Sequence, residues 1–179
     1  MKKLFVIATA VLMFASANAW AQVLAFPVQF KGQVSFPNDE GNAVTKFGVS
    51  NANLVAPGHK LLLVIDVIGH SLSLVEADAD NNPVNTLLES SRLALLPDRT
   101  FTANTQSTLT VYTLEGPVTV VTGLLIAGKI TPKSGNPKSV NATVTGVLND
   151  SSQEGAAEGD VTLKGKLTPA GSLLLLNVE

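Results

Sequence analysis

The residues whose types and spacing best suit chemistry lie in Asp78-Ala79-Asp80-Asn81-Asn82-Pro83-Val84-Asn85-Thr86-Leu87-Leu88-Glu89. Counted from Asp78, oxygen donors fall at positions one, three and five (Asp78, Asp80, Asn82), a hydroxyl at nine (Thr86) and a carboxylate at twelve (Glu89). A helix-flanked calcium loop has this spacing, because hard Ca²⁺ takes six to eight oxygens from one tight turn. Two features oppose that reading. The sixth position needs the freedom of Gly but holds Pro83, whose ring fixes φ at about −65°. The residues before Asp78 alternate as a strand, not as an entering helix. An acidic, solvated hairpin loop is therefore favoured, with Asp78, Asp80, Asn82 and Glu89 as weak candidate metal ligands.

Other constellations are poorer. His59 and His70 are the two histidines, and an extended strand between them would hold them roughly 35 Å apart at ~3.3 Å per residue. They cannot share a metal, and each is expected to be a solvated turn residue. Asp66, four residues from His70, lies roughly 13 Å away on an extended chain, beyond hydrogen-bond reach. Serines are plentiful, but no Gly-x-Ser-x-Gly elbow is present and there is no Cys. Glu154 and Glu158 sit in a Gly/Ala/Ser-rich stretch that reads as a solvated loop. Asn141-Ala142-Thr143 and Asn149-Asp150-Ser151 match the glycosylation pattern, which arises often by chance. No catalytic set and no cofactor site emerge.

The elements that must position these residues begin after a leader. Lys2 and Lys3 precede an apolar run from Leu4 to Phe14 and the small-residue stretch Ala15-Ser16-Ala17-Asn18-Ala19. That is the layout of a secretory signal peptide, too short in its apolar core to span a bilayer. Residues 1–21 are read as the leader and 22–179 as one all-β domain in the periplasm or outside the cell. No Cys follows the leader to carry a lipid. Its removal leaves 10 of the 12 basic residues against 14 acidic, a net charge of −4 without a basic cluster. Nucleic acid is thus a poor partner. One Tyr and one Trp cannot furnish the two aromatic girdles of a membrane-spanning barrel.

Period-2 alternation dominates the body. Phe26, Val28, Phe30, Val34 and Phe36 share one parity against Gln29, Lys31, Gln33 and Ser35. Pro37 to Asn42 is a turn, a strand from about Val44 to Val49 returns, and Ser50 or Asn51 caps a helical turn before Pro57-Gly58. Lys60–Ile68 and Ser71–Glu76 read as a hairpin around a two-residue Gly69-His70 turn, opposing Val67 with Leu72 and Ile65 with Leu74. Residues 83–96 suit either a short helix or a strand. From Thr100 a meander is expected over about 107–114, 118–130, 140–148, 160–167 and 172–178, with Gly123 and Gly128 marking a bulge or bend. Gly128-Lys129-Ile130-Thr131-Pro132 echoes Gly165-Lys166-Leu167-Thr168-Pro169, and Lys31-Gly32-Gln33-Val34 is a fainter relative.

The expected fold is a single-domain antiparallel β-barrel or β-sandwich of about nine or ten strands. The expected function is an exported, non-enzymatic binding or structural module whose partner is an apolar ligand or another protein. A periplasmic barrel carrying an apolar small molecule or lipid is one alternative. A hydrolase with a site assembled from scattered Asp, Glu and Ser is the other. Sequencing the N-terminus of the exported protein should begin at Trp20 or Gln22, and a product still starting at Met1 in that fraction overturns the leader.

Overall fold

Strand β1 (Val23–Pro37) is the spine of the molecule, because its length lets it hold two partners on each side. The computed structural model describes residues 23–37, 44–113, 116–149 and 161–176. The leader, the turn after Pro37, and Glu154, Glu158 and Asp150 with their loop lie outside them. On one side of β1, β3 (Lys60–Asp66) pairs with residues 23–28 and β2 (Val44–Ser50) with residues 31–37. On the other, β11 (Leu174–Leu176) pairs with residues 23–25 and β10 (Val161–Pro169) with residues 28–35.

Beyond β1, three strands on one flank and five on the other complete one antiparallel sheet. Its path runs β5 (Pro83–Ser90), β4 (Ser71–Ala77), β3, β1, β10, β9 (Ser139–Asn149), β8 (Gly116–Thr131), β7 (Thr100–Thr113) and β6 (Leu93–Leu95). The all-β, antiparallel expectation holds, and residues 83–96 resolve as two strands. The path is not closed by a backbone ladder. Its two ends, β5 and β6, are nevertheless consecutive in the chain and separated by Ser91-Arg92. Ser90 Oγ donates to Asn104 C=O at 2.5 Å, and Thr105 Oγ1 donates to Glu89 C=O. Side chains thus stitch β5 to β7 where the chain steps from one end of the sheet to the other.

Inside the curl the expected parity is buried. Phe26, Val28, Phe30 and Val34 are enclosed while Gln29, Lys31 and Gln33 face water; the side chain of Phe36 lies outside the description. They join Leu61, Leu63, Ile65, Leu72, Phe101, Ile126, Ile130 and Leu167 in one contiguous apolar cluster. A second, smaller cluster (Leu62, Val75, Ala77) forms on the opposite face of β3 and β4, where Leu174 packs over it.

The internal glycines do not mark bulges. The β7–β8 and β8–β9 ladders run through Gly128 and Gly123 without a register shift. The irregularities fall instead in the β4–β5 pairing, beside Leu74/Val75 and Glu76/Ala77. A Cβ on Gly128 would lie 2.6 Å from the Phe101 ring, and Cβ atoms on the paired Gly32 and Gly165 would lie 2.6 and 2.3 Å from the Phe30 ring. Each aromatic therefore covers bare backbone, which protects the ladder and fills the core. This accounts for the sequence echo: in both pentapeptides Gly sits under a Phe, followed two residues later by a fully buried Ile130 or Leu167.

The β3–β4 hairpin departs from expectation in register. Asp66 pairs with Ser71 and Ile65 with Leu72, so the turn is four residues, Val67 to His70. Asp66 Oδ1 accepts the N–H groups of Ile68 (3.0 Å) and Gly69 (2.8 Å), folding the chain around its own carboxylate. The left-handed residue is His70 (φ 49°) instead of Gly69. Because the register moves by two, the buried face is unchanged.

At the handover from β3 to β2, the side chain of Asn51 stands in for a strand. Its Oδ1 accepts Phe30 N–H at 2.6 Å and its Nδ2 donates to Val28 C=O at 3.2 Å. The short 3-10 helix Asn51–Asn53 that carries it starts at Ser50, as the sequence suggested for a capped turn. Phe30→Ala should cost about 3–5 kcal/mol and Gln33→Ala less than about 0.5 kcal/mol. Asn51→Ala, which strands two backbone groups, should cost about 1–3 kcal/mol. Denaturant melts check all three, and equal losses for Phe30 and Gln33 overturn the face assignment.

Candidate functional site

The β4–β5 turn gathers three of the four candidate metal ligands and turns them on one another. Asp78 Oδ1 accepts the backbone N–H of Asp80 (2.9 Å) and of Asn82 (2.8 Å), while Asn82 Nδ2 donates to Asp78 Oδ2 at 3.0 Å. These donors, the Asn82 side chain first, hold the Asp78 carboxyl below its ordinary value of 3.8. The ammonium of Lys60 donates to Ala79 C=O at 2.7 Å and Asn81 Oδ1 at 2.9 Å. A cationic side chain thus already occupies acceptors of this turn. Glu89 is not brought in: it pairs with Ser73, five residues back along β4 from Asp78, or roughly 16 Å at ~3.3 Å per residue. Among the described residues no group of three or more His, Asp and Glu side chains is arranged to hold a metal.

His59 overturns its reading as a solvated turn residue. Its Nδ1 lies 2.7 Å from Glu76 Oε1, which also accepts Ala56 N–H at 2.8 Å. Glu76 is 9 % exposed, and a carboxylate so placed is stable only when donors replace its lost water. The pair fastens residues 54–59 to the end of β4. The partnership joins positions 17 apart, so no local motif announced it. Parity did carry a signal, since Glu76 shares the buried face of Leu72 and Leu74. His70, by contrast, is exposed.

At the end of the sheet where β1 begins, a buried arginine went unnoticed in the sequence. Arg99 is 3 % exposed and adopts φ 67°. Its Nη1 donates to Pro132 C=O at 2.5 Å, its Nη2 donates to Gly135 C=O, and its own C=O accepts Ile130 N–H at 3.0 Å. One side chain therefore ties the β6–β7 turn to the β8–β9 loop. Between those loops and the β3–β4 turn lies an open cleft of about 550 Å³, walled by Val67, Leu95, Leu96 and Pro97, with Arg99 and Lys133 also on its lining. Leu96 is 58 % exposed and nearby Ile68 in the β3–β4 turn 65 %. Asp98 beside the cleft is held below 3.8 by the Thr100 hydroxyl and N–H, with Lys129 and Lys133 adding attraction.

A second cleft of about 730 Å³ follows the β5–β7 seam, where Glu89, Ser91, Arg92, Asn104 and Thr145 make it largely polar. Among the described residues no helix is long and apolar enough to cross a membrane. No protein-family model, curated protein or solved structure matches the chain.

The Asp78 titration has a defined sign. A carboxyl held low in the fold contributes stability above its unfolded value, and that contribution disappears as pH falls through the folded value. Carboxyl NMR should place the Asp78 inflection below 3.8, moving upward in Asn82→Ala. An inflection at or above 3.8 in the unaltered chain would refute the network. Calorimetric titration with calcium should show at most weak binding, on the order of 10⁻⁴–10⁻³ M.

Proposed function

We infer that the chain is an exported, non-enzymatic binding module whose ligand is an amphiphile with an apolar body and an acidic head. The curled sheet serves as a barrel-like scaffold, sealed at the seam by the Ser90 and Thr105 hydroxyls. The observation that carries this reading is the cleft beside Arg99. Its walls are Val67, Leu95, Leu96 and Pro97, with the ammonium-bearing Lys133 on the same lining. Clefts that bind small molecules combine apolar walls with a few placed polar groups, and the apolar wall supplies most of the affinity.

Two further observations support it. The inner faces of the strands pack against one another in a single cluster, which directs binding to the rim of the scaffold instead of a lumen. Three carboxylates among the described residues are engaged in holding loops: Glu76 with His59, Asp66 with its own turn, and Asp78 with Asn82. The leader-like first twenty-one residues supply the expectation of export.

Titration with dodecanoate, an apolar chain bearing one carboxylate, tests the reading. Saturable binding is expected, weakened about tenfold or more by Leu96→Asp, which corresponds to roughly 1.4 kcal/mol. Lys133→Glu should weaken the acid while sparing the uncharged alcohol of the same length. Absence of binding, together with no ligand extracted from the purified protein, refutes the proposal.

A further inference from the structure

The outer face of the sheet gathers positive charge that the sequence scatters. Lys31 on β1 stands directly opposite Lys166 on β10, and Lys164 is its diagonal neighbour. Opposed side chains in such a ladder start about 5 Å apart at Cβ, and diagonal ones about 7–8 Å apart. All three lysines are exposed. Like charges set directly opposite one another destabilise a ladder. This pair nevertheless occupies the middle of the β1–β10 pairing.

The neighbouring strands supply no opposite charge. β1, β2, β8, β9 and β10 contain no Asp or Glu. Carboxylates on described strands are Asp66, Glu76 and Glu89, and they lie on β3, β4 and β5. Among the described residues the ion pair that forms is His59 with Glu76, on that other flank. Lys46 of β2, opposite Ser35 and also exposed, extends the positive face. All this sits in a chain whose net charge is −2.

What surrounds the lysines is polar and flat. Across the strands one row reads Lys31, Lys166 and Thr143, and the next reads Gln33, Lys164 and Thr145. All six are exposed, while the alternate residues Val34, Leu163 and Val144 are buried in the core. These rows have no apolar or aromatic side chain to enter a bilayer or to form the dry centre of a protein interface. They have no arginine to fork onto bases or phosphates, and no ring on which a base would stack. Ammonium groups set among hydroxyls and a primary amide match a polymer that carries both carboxylates and hydroxyls.

We propose that the outer face of β1, β10 and β9 binds an acidic polysaccharide. Its carboxylates are held by Lys31, Lys164 and Lys166, and its hydroxyls by Gln33, Thr143 and Thr145. A bound carboxylate supplies the negative charge that the Lys31–Lys166 juxtaposition lacks, so binding offsets a repulsion built into the ladder. Exposed charges attract one another through solvent, and added salt therefore weakens the complex. The face shares no residue with the cleft beside Arg99, and the two surfaces act independently.

Fluorescence anisotropy of labelled polygalacturonate, titrated with the purified chain at low ionic strength, tests this. Saturable binding is expected, reversed by added salt, with none to neutral dextran. Lys31→Glu combined with Lys166→Glu should weaken it at least tenfold. Lys31→Glu alone should also weaken it, and it places opposite charges across the ladder, so the denaturant midpoint should not fall. That variant keeps the test decisive if the double one fails to fold. Arg92→Glu makes the same change in net charge at an exposed position outside this face and should leave binding within about twofold. Absence of binding by the unaltered chain overturns the proposal, as does binding that withstands both lysine variants. An equal loss in Arg92→Glu overturns it too, because net charge alone would then explain the attraction. So does equal or tighter binding to phosphatidylglycerol vesicles or to a single-stranded oligonucleotide, which would assign the face to another class of anion.

Discussion

Phe30 sits where β1 loses one neighbour and gains the next, and the architecture depends on how that handover is bridged. β3 stops opposite Val28 and β2 begins opposite Lys31, so one stretch of β1 faces no strand on that side. The primary amide of Asn51 has the same donor and acceptor as a peptide, and it bonds Phe30 N–H and Val28 C=O as a peptide would. Without it two backbone groups beside the core would be left unpaired. With it, β1 runs unbroken, and the lower strands can curl away while the upper ones continue the ladder.

The same phenylalanine links that handover to the core. Its ring lies over the paired glycines Gly32 and Gly165, as the Phe101 ring lies over Gly128. A side chain on any of these glycines would occupy the ring's place, so aromatic and glycine are one unit distributed over two strands. The unit brings a large apolar surface against backbone that would otherwise be bare. Long strands with small residues inside them can bend tightly, which allows the sheet to bring its two ends together at Ser91-Arg92.

Ionisable groups are spent mostly on fastening loops to this frame. Glu76 with His59, Asp66 with its turn amides, and Arg99 with the carbonyls of Pro132 and Gly135 each hold an irregular segment against the sheet. Arg99 differs in consequence, because the two loops it joins form the walls of the apolar cleft. The surface proposed to bind is thus a by-product of how one end of the sheet is tied down. Seam and cleft both follow from a sheet that curls without completing its ladder.

The alternation of Phe26, Val28, Phe30 and Val34 against Gln29, Lys31 and Gln33 determined the strand type and the buried face, because a period of two is a local property of backbone geometry. Composition and alternation likewise determined the all-β class, and the sequence narrowed the cap of the short helix to Ser50 or Asn51, of which the structure takes Ser50. Tertiary structure decided the rest. The turn at Val67 to His70 was set by a carboxylate reaching back to amides, which shifts register by two and leaves the hydrophobic pattern silent. Gly128 looked like a bulge or bend because the phenylalanine that covers it, Phe101, lies on another strand. The His59–Glu76 pair and the Arg99 clasp join residues 17 to 36 positions apart. Such contacts depend on which strands become neighbours, and a single chain's periodicity carries no record of that choice. For the Asp78 loop the spacing of oxygens was legible, but only the strand pairing decided that Glu89 would point its part of the chain elsewhere.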